Sequence, residues 1–194
     1  MNYTVLLSGW VLYFALHSVL AAENVKSGIE SAVGKGFRYY RLFYSTVSIV
    51  GLVALLVVNS NIPAGHFFES SGVIRYFSLM LTTFGVMLIQ ISFRVYRLRS
   101  FIGFAEEENK LRRSGVLNWI RHPIYAGLIL VILGFFLFIP NLPTLLSCAC
   151  MLIYLPIGIN LEEKKMIKAF GQAYLDYRKE VPAIMPNISK FRNA

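Results

Sequence analysis

The stretch "RHPIYAGLILVILGFFLFIPNLPTLLSCACMLIYLPIGINLEE", Arg121 to Glu163, decides the fold. Two apolar runs, Pro123 to Ile139 and Leu142 to Asn160, are parted only by "PNLP", Pro140 to Pro143. So short a connection makes them an antiparallel helical hairpin. Each run is near the ~20 residues that a helix rising ~1.5 Å per residue needs to cross ~30 Å of hydrocarbon. Both ends of the hairpin therefore return to one surface. "RHPIY" arrives there at one end and "NLEEKK", Asn160 to Lys165, at the other, about forty residues apart in the chain.

Working outward, three more segments have spanning character: Tyr3 to Ala22, Leu42 to Val58 and Val73 to Phe93. The chain is 56% hydrophobic and 15% charged, with a mean hydropathy of +0.58, which excludes an ordinary soluble domain. No small-residue cleavage pattern follows the first run, so it reads as a retained span rather than a signal peptide. The expected fold is all-α: a polytopic integral membrane protein of about five transmembrane helices with a polar cytoplasmic cap and a C-terminal amphipathic helix. It forms a single membrane domain over residues 1–194, with three spans in 1–93 and the loop, hairpin and terminal helix in 94–194.

The net charge of +9 invites a nucleic-acid reading, but its placement favours membrane topology. With the N-terminus outside, the inner segments Ala21–Arg41, Arg94–Arg121 and the part after Asn160 hold 4, 7 and 7 of the 19 Lys and Arg residues. Only Arg75 is left outside. The expected orientation is N-terminus out and C-terminus cytoplasmic, in a bacterial inner membrane, with lipids and not nucleic acid as the surroundings. Cys148 and Cys150, two apart in an apolar run, face different sides of a helix and support neither a metal site nor a disulfide.

Pro123 suits a first helical turn and disfavours helix at His122, which places the histidine on irregular backbone against a helix N-terminus. Pro156 falls inside the fifth span, where it would kink the helix. In the basic loop, Glu106 with Lys110 and Glu108 with Arg112 are i,i+4 pairs that support a short helix, ended by Gly115. After Asn160, Met166, Phe170, Tyr174 and Tyr177 recur at spacings of three and four, opposite Lys164, Lys168 and Asp176. This pattern reads as an amphipathic helix on the membrane interface, interrupted at Gly171 and ended by Val181 and Pro182.

"GVLNWIRHPIYAG", Gly115 to Gly127, and "EEKKMIKAFGQAYLDYRKEVP", Glu162 to Pro182, together resemble the C-terminal signature of the integral-membrane methyltransferases related to isoprenylcysteine carboxyl methyltransferase. The likeness covers Leu111 to Pro186, about two fifths of the chain, with order and spacing kept. "FALHSVLAAENVK" and "RYYRLFYS", in the first half, resemble bacterial members such as NnrU-like proteins and methanethiol S-methyltransferases. The resemblance implies a helical membrane core that uses S-adenosyl-L-methionine; the G-x-G-x-x-G of a soluble dinucleotide fold is absent from the sequence.

By that resemblance, Leu111, Gly115, Val116 and Leu117 wrap the cofactor, with Gly115 allowing close backbone approach. His122, Pro123 and Tyr125 form a wall where a helix N-terminus suits a carboxylate, and Glu162 meets the ammonium or a ribose hydroxyl. Glu163 and Arg121 are the candidates for chemistry, the first as a base for a thiol acceptor, the second as a cation. Each also has a plainer reading: Arg121 as a headgroup anchor, His122 as a helix cap, Glu162 and Glu163 as acids in a first helical turn, Tyr174 and Tyr177 as interfacial packing. His17, an intramembrane histidine, reads equally as a functional group and as a hydrogen-bond partner for a neighbouring helix.

In the prenylcysteine enzymes an arginine precedes the glutamate pair; the matching "PIGINLEE" here has Gly158 and Asn160 instead. A small thiol or a hydrophobic, lipid-like acceptor entering from the bilayer remains open beside an isoprenylcysteine carboxylate. Two other classes fit the same layout: a non-catalytic NnrU-like membrane protein, and an NADPH-dependent membrane reductase.

Overall fold

The computed structural model describes residues 3–96, 111 and 113–186. Among the described residues, seven α-helices follow in order: α1 (Tyr3–Ala21), α2 (Glu23–Val33), α3 (Tyr40–Ser60), α4 (Gly72–Tyr96), α5 (Pro123–Phe138), α6 (Leu142–Phe170) and α7 (Gln172–Glu180). Short 3-10 turns, Gly34–Tyr39 and Gly115–Asn118, lead into α3 and towards α5. Four of the described stretches are long and apolar enough to cross a membrane, and α5 is a shorter apolar helix. Large apolar side chains such as Val11, Leu12, Val50 and Ile153 are turned outward. On a soluble protein these would form an outsized apolar surface; on a bilayer protein they meet lipid. The chain is an all-α integral membrane protein.

The hairpin forms as its sequence dictates. Pro123 begins α5, Asn141 caps α6 by accepting from the Thr144 N–H at 3.0 Å, and Pro143 occupies the first turn of α6. The loop after α3 is tied to the same turn: the Phe67 N–H donates to the Pro140 carbonyl at 2.7 Å and the Ser70 hydroxyl to that of Leu137 at 2.8 Å. The basic segments gather at the opposite end. Lys165 donates to the Ala21 carbonyl and Lys168 pairs with Glu23, each at 3.0 Å, so α6 reaches the start of α2. Lys168 holds the exposed Glu23 carboxyl below its ordinary range.

Two kinds of contact hold the spans together. Between α4 and α5 the backbones approach through small residues: a Cβ on Gly127 would stand 2.6 Å from the Gly85 carbonyl oxygen. Among α1, α3 and α6 an apolar cluster around Leu6, Trp10 and Leu55 is joined by buried polar contacts. Trp10 Nε1 donates to Ser147 Oγ at 2.9 Å, Ser147 Oγ to Asn59 Oδ1 at 2.9 Å, and Asn59 Nδ2 to Thr144 Oγ1 at 3.3 Å. All four groups are buried, so each polar atom finds its partner inside the bundle rather than in lipid.

Two expectations need correction. The fifth span does not give way to a new helix at Asn160: α6 runs unbroken through Pro156 to Phe170, about 43 Å at ~1.5 Å per residue, because nothing between Asn160 and Phe170 stops a helix. Glu162 and Glu163 are therefore deep inside a helix, and its N-terminal dipole does not account for them. Nor does the apolar face of the C-terminal segment lie on the membrane interface. Tyr174, Tyr177 and Val181 are buried against Leu111, Met166, Ile167 and Phe170, a small core of their own. Gly171, at φ +54°, breaks the helix and folds α7 back to make it. The helix expected around Glu106, Glu108 and Lys110 lies outside the described residues.

Candidate functional site

His122 stands at the junction of the hairpin's two ends. Its backbone is non-helical (φ −121°, ψ 63°), as the following proline requires, and its side chain makes no capping bond. The ring instead faces the glutamate pair on α6. Nε2 lies 3.2 Å from Glu163 Oε1 and Nδ1 lies 3.6 Å from Glu162 Oε2. The second separation is too long for a hydrogen bond, and Nδ1 is a buried polar atom without one.

Arg121 and Glu163 form a buried ion pair, each side chain 8% exposed. Arg121 Nε also donates to the Val181 carbonyl at 2.7 Å, and Arg178 Nε stands 3.4 Å from the other oxygen of Glu163. Two backbone bonds at 2.9 Å, from the N–H groups of Arg121 and His122 to the carbonyls of Pro182 and Ala183, strap the chain after α7 over the start of α5. Arg121 is thus turned into the protein, not towards headgroups, and every contact it makes fixes the cap.

Beside this knot lies a cavity of about 490 Å³ bounded by α1, α3, α5 and α6. Trp10, Leu52, Leu128 and Ile132 line its apolar part, and Phe14 and Tyr154, stacked at 4.1 Å with their planes 12° apart, form an aromatic wall. His122, Pro123, Tyr125 and Glu162 supply one polar end. The Tyr125 hydroxyl neighbours the Glu162 carboxylate, and a Cβ on Gly158 would stand 3.1 Å from that hydroxyl. Among the described residues, no lysine or arginine lines the cavity. An apolar chamber of this size, with a few convergent polar groups, is what a small-molecule site requires.

Of the residues singled out from the sequence, His122, Pro123, Tyr125 and Glu162 are on the cavity wall, and Glu163 and Arg121 lie behind it. Leu111, Gly115, Val116 and Leu117 are not on the wall either. Gly115, at φ +59°, opens the 3-10 turn that buries Leu117, whose carbonyl accepts from the Tyr177 hydroxyl at 2.6 Å. Burial, with Tyr174 alongside, pushes the Tyr177 phenol up to about 12. These residues belong to the cap that abuts the site.

The NnrU protein family matches residues 5–187. The chain belongs to the NnrU family. Curated relatives of this NnrU-family chain are named as methyltransferases. Over 191 residues it is 27% identical to methanethiol S-methyltransferase of Crocosphaera subtropica, covering 91% of this chain and 72% of the relative. It is 22% identical to the enzyme of that name from a Pseudomonas species, over 90% of this chain and 70% of the relative. An 88-residue portion is 33% identical to protein-S-isoprenylcysteine O-methyltransferase of Schizosaccharomyces pombe, covering 43% of this chain and 37% of the relative. No solved structure matches.

His17, open from the sequence to a functional or a packing role, belongs to a further wall of the cavity that the sequence did not reveal. Tyr13, Phe14 and Tyr154 lie there with it. His17 is one turn from Tyr13 on α1, so its helical spacing carried the signal; what the sequence withheld was that Tyr154 of α6 closes on the same face.

Proposed function

We propose that this NnrU-family protein is an S-adenosyl-L-methionine-dependent membrane methyltransferase that transfers the methyl group to a small, neutral thiol acceptor. The observation that carries the reading is the cavity's one-sided polarity. A carboxylate and a buried, unpartnered imidazole nitrogen stand at one end of a chamber whose remaining wall, His17 apart, is apolar and aromatic. The residues fit the cofactor. Glu162 has the charge to meet an ammonium, His122 Nδ1 has an unused hydrogen-bonding position, and the start of α5 suits a carboxylate. Aromatic faces such as Tyr125 and Tyr154 attract a cationic sulfonium. When bound, S-adenosyl-L-methionine supplies an electrophilic methyl group.

The chain's own part is positioning and exclusion of water. His122 and Glu162 hold one end of the site in register: His122 is anchored from behind by Glu163, itself held by Arg121 and Arg178, and Glu162 is held by the Tyr125 hydroxyl. Arg121 and Glu163 act as positioning residues in this scheme. Leu111, Gly115, Val116 and Leu117 shape the cap that borders the cofactor.

Two features favour a neutral acceptor over an isoprenylcysteine carboxylate. Among the described residues the wall offers no lysine or arginine to a second carboxylate, and Gly158, in the region where the prenylcysteine enzymes carry an arginine, is covered by the Tyr125 phenol. The orientation that suits this function has the cofactor end in the cytoplasm of a bacterial inner membrane, with the acceptor reaching the apolar part of the cavity from the bilayer. The test is methyl transfer from labelled S-adenosyl-L-methionine by purified protein in lipid nanodiscs. Methylation of a short alkanethiol but not of a prenylcysteine supports the proposal. The reverse preference refutes the acceptor, and labelling of neither refutes the activity.

A further inference from the structure

The cavity runs lengthwise between the helices. On α5 it is lined from His122 to Ile132 and on α6 from Glu162 back to Met151, a depth of ~15–17 Å at ~1.5 Å per residue. The polar end takes the cofactor in the reading above, and the stacked Phe14 and Tyr154 rings stand part-way down. An acceptor in the apolar part therefore has only the space between that stack and the closed end. On α1 this is the step from Phe14 to Trp10, one helical turn or ~6 Å.

The closed end is held firmly in shape. Trp10 is 0% exposed, and its indole lies along Phe14 at 5.3 Å and edge-on to Tyr13 at 5.8 Å between ring centroids. Its N–H donates to Ser147 Oγ at 2.9 Å, and Ser147 donates in turn to Asn59 Oδ1, so α6 and α3 together fix the ring. Met151 packs against the cluster that contains Trp10 and against the one that contains Ile132, which closes the α5 side. Swinging the indole aside for a longer guest would break its hydrogen bond inside a bundle surrounded by lipid, where the N–H finds no water in exchange. Beyond Trp10 the same buried cluster continues to Leu6, one turn further along α1.

We propose that Trp10, anchored by Ser147, is the specificity-determining floor of the acceptor site and restricts the thiol to a short apolar chain; this rests on the methyltransferase reading above. The indole acts by occupying space. It takes no part in the chemistry, so its removal changes which thiols fit rather than how the methyl group moves.

The test measures kcat/KM for ethanethiol and octanethiol with wild type and Trp10→Ala in lipid nanodiscs. The truncation lowers the floor towards Leu6. Each extra methylene buried is worth about fourfold, so room for even two of them raises the octanethiol-to-ethanethiol ratio on the order of tenfold over wild type. Partitioning of octanethiol into lipid acts alike on both proteins and cancels when their ratios are compared. Saturable S-adenosylhomocysteine binding in calorimetry identifies a folded variant. Ser147→Ala, which keeps the indole but removes its anchor, should raise the ratio by less, and with Trp10→Leu it serves if Trp10→Ala does not fold. A ratio that stays at the wild-type value, whether both thiols keep their rates or lose them equally, overturns the role of Trp10. Wild type that methylates neither thiol overturns the underlying reading instead.

Discussion

Replacing Arg121 by leucine should loosen the cap more than any surface change, because the arginine is the main partner of a buried carboxylate. The substitution removes the ion pair with Glu163 and the 2.7 Å bond to the Val181 carbonyl. Stripping one partner from a buried pair costs ~3–5 kcal/mol, most of it the penalty of leaving the other charge uncompensated. Glu163 keeps His122 at 3.2 Å and the half-exposed Arg178 at 3.4 Å, so the lower end of that range, ~3 kcal/mol, applies. For a chain of this size each kcal/mol shifts the melting temperature by ~2–4 °C, giving a drop of ~6–12 °C if the cap melts with the bundle. If the cap opens alone, faster tryptic cleavage at Arg178 and Lys179 reports it. Thermal unfolding and limited proteolysis in detergent read both. The double variant Arg121→Leu with Glu163→Leu removes the stranded charge and should recover most of the loss. A single variant melting within ~1 °C of wild type with the cap intact, or a double variant no better than the single, would show that the Arg121–Glu163 pair does not hold the cap.

Gly127→Ala puts a methyl group 2.6 Å from the Gly85 carbonyl oxygen, and the overpacking should destabilise the α4–α5 contact by ~1–3 kcal/mol in a detergent unfolding titration. The Tyr177 phenol is raised from 10.0 to about 12 by burial, so its contribution is complete below pH 10 and is lost as pH rises towards 12. Tyr177→Phe should flatten that alkaline loss in a melting series while leaving the Leu117 carbonyl without its donor. Glu23 is shifted the other way by Lys168: its contribution is present above its ordinary value of 4.5 and fades as pH falls through the lowered one. Because both side chains are exposed, moderate salt should erase the effect, and a Lys168→Ala variant that stays as salt-sensitive as wild type would count against it. Arg75→Ala, at the opposite end from the glutamate pair, should leave S-adenosylhomocysteine affinity unchanged in calorimetry.

Much of the architecture was legible because hydrophobic runs and prolines act locally. Apart from the fifth span, whose helix runs ten residues past Asn160, the span boundaries read from the sequence fall within a few residues of the helices, and Pro123, Asn141 and Pro143 place the hairpin without tertiary information. The errors came where local patterns admit two partners. The apolar stripe Met166, Phe170, Tyr174 and Tyr177 satisfies a membrane interface and a protein cap equally well; only the reversal at Gly171 and the strap to Pro182 and Ala183 select the cap. Likewise "EE" has the look of a helix start, and its burial depends on Arg121 and His122 arriving from forty residues away. The meeting of His122 with Glu162 and Glu163 was legible because the hairpin forces its two ends together. The facing wall, built by His17 and Tyr154, depends on how α1 leans on α6, and no short-range signal encodes that.

In the proposed methyltransferase, the junction of His122 and Glu162 binds the cofactor. Calorimetric titration of purified wild type and Glu162→Gln with S-adenosylhomocysteine tests it most directly. Wild type should bind saturably and the variant should lose on the order of tenfold to a hundredfold in affinity, the ~1.5–3 kcal/mol of one hydrogen bond to a charged group. Equal affinity of the two proteins, or no binding to well-folded wild type, would contradict it.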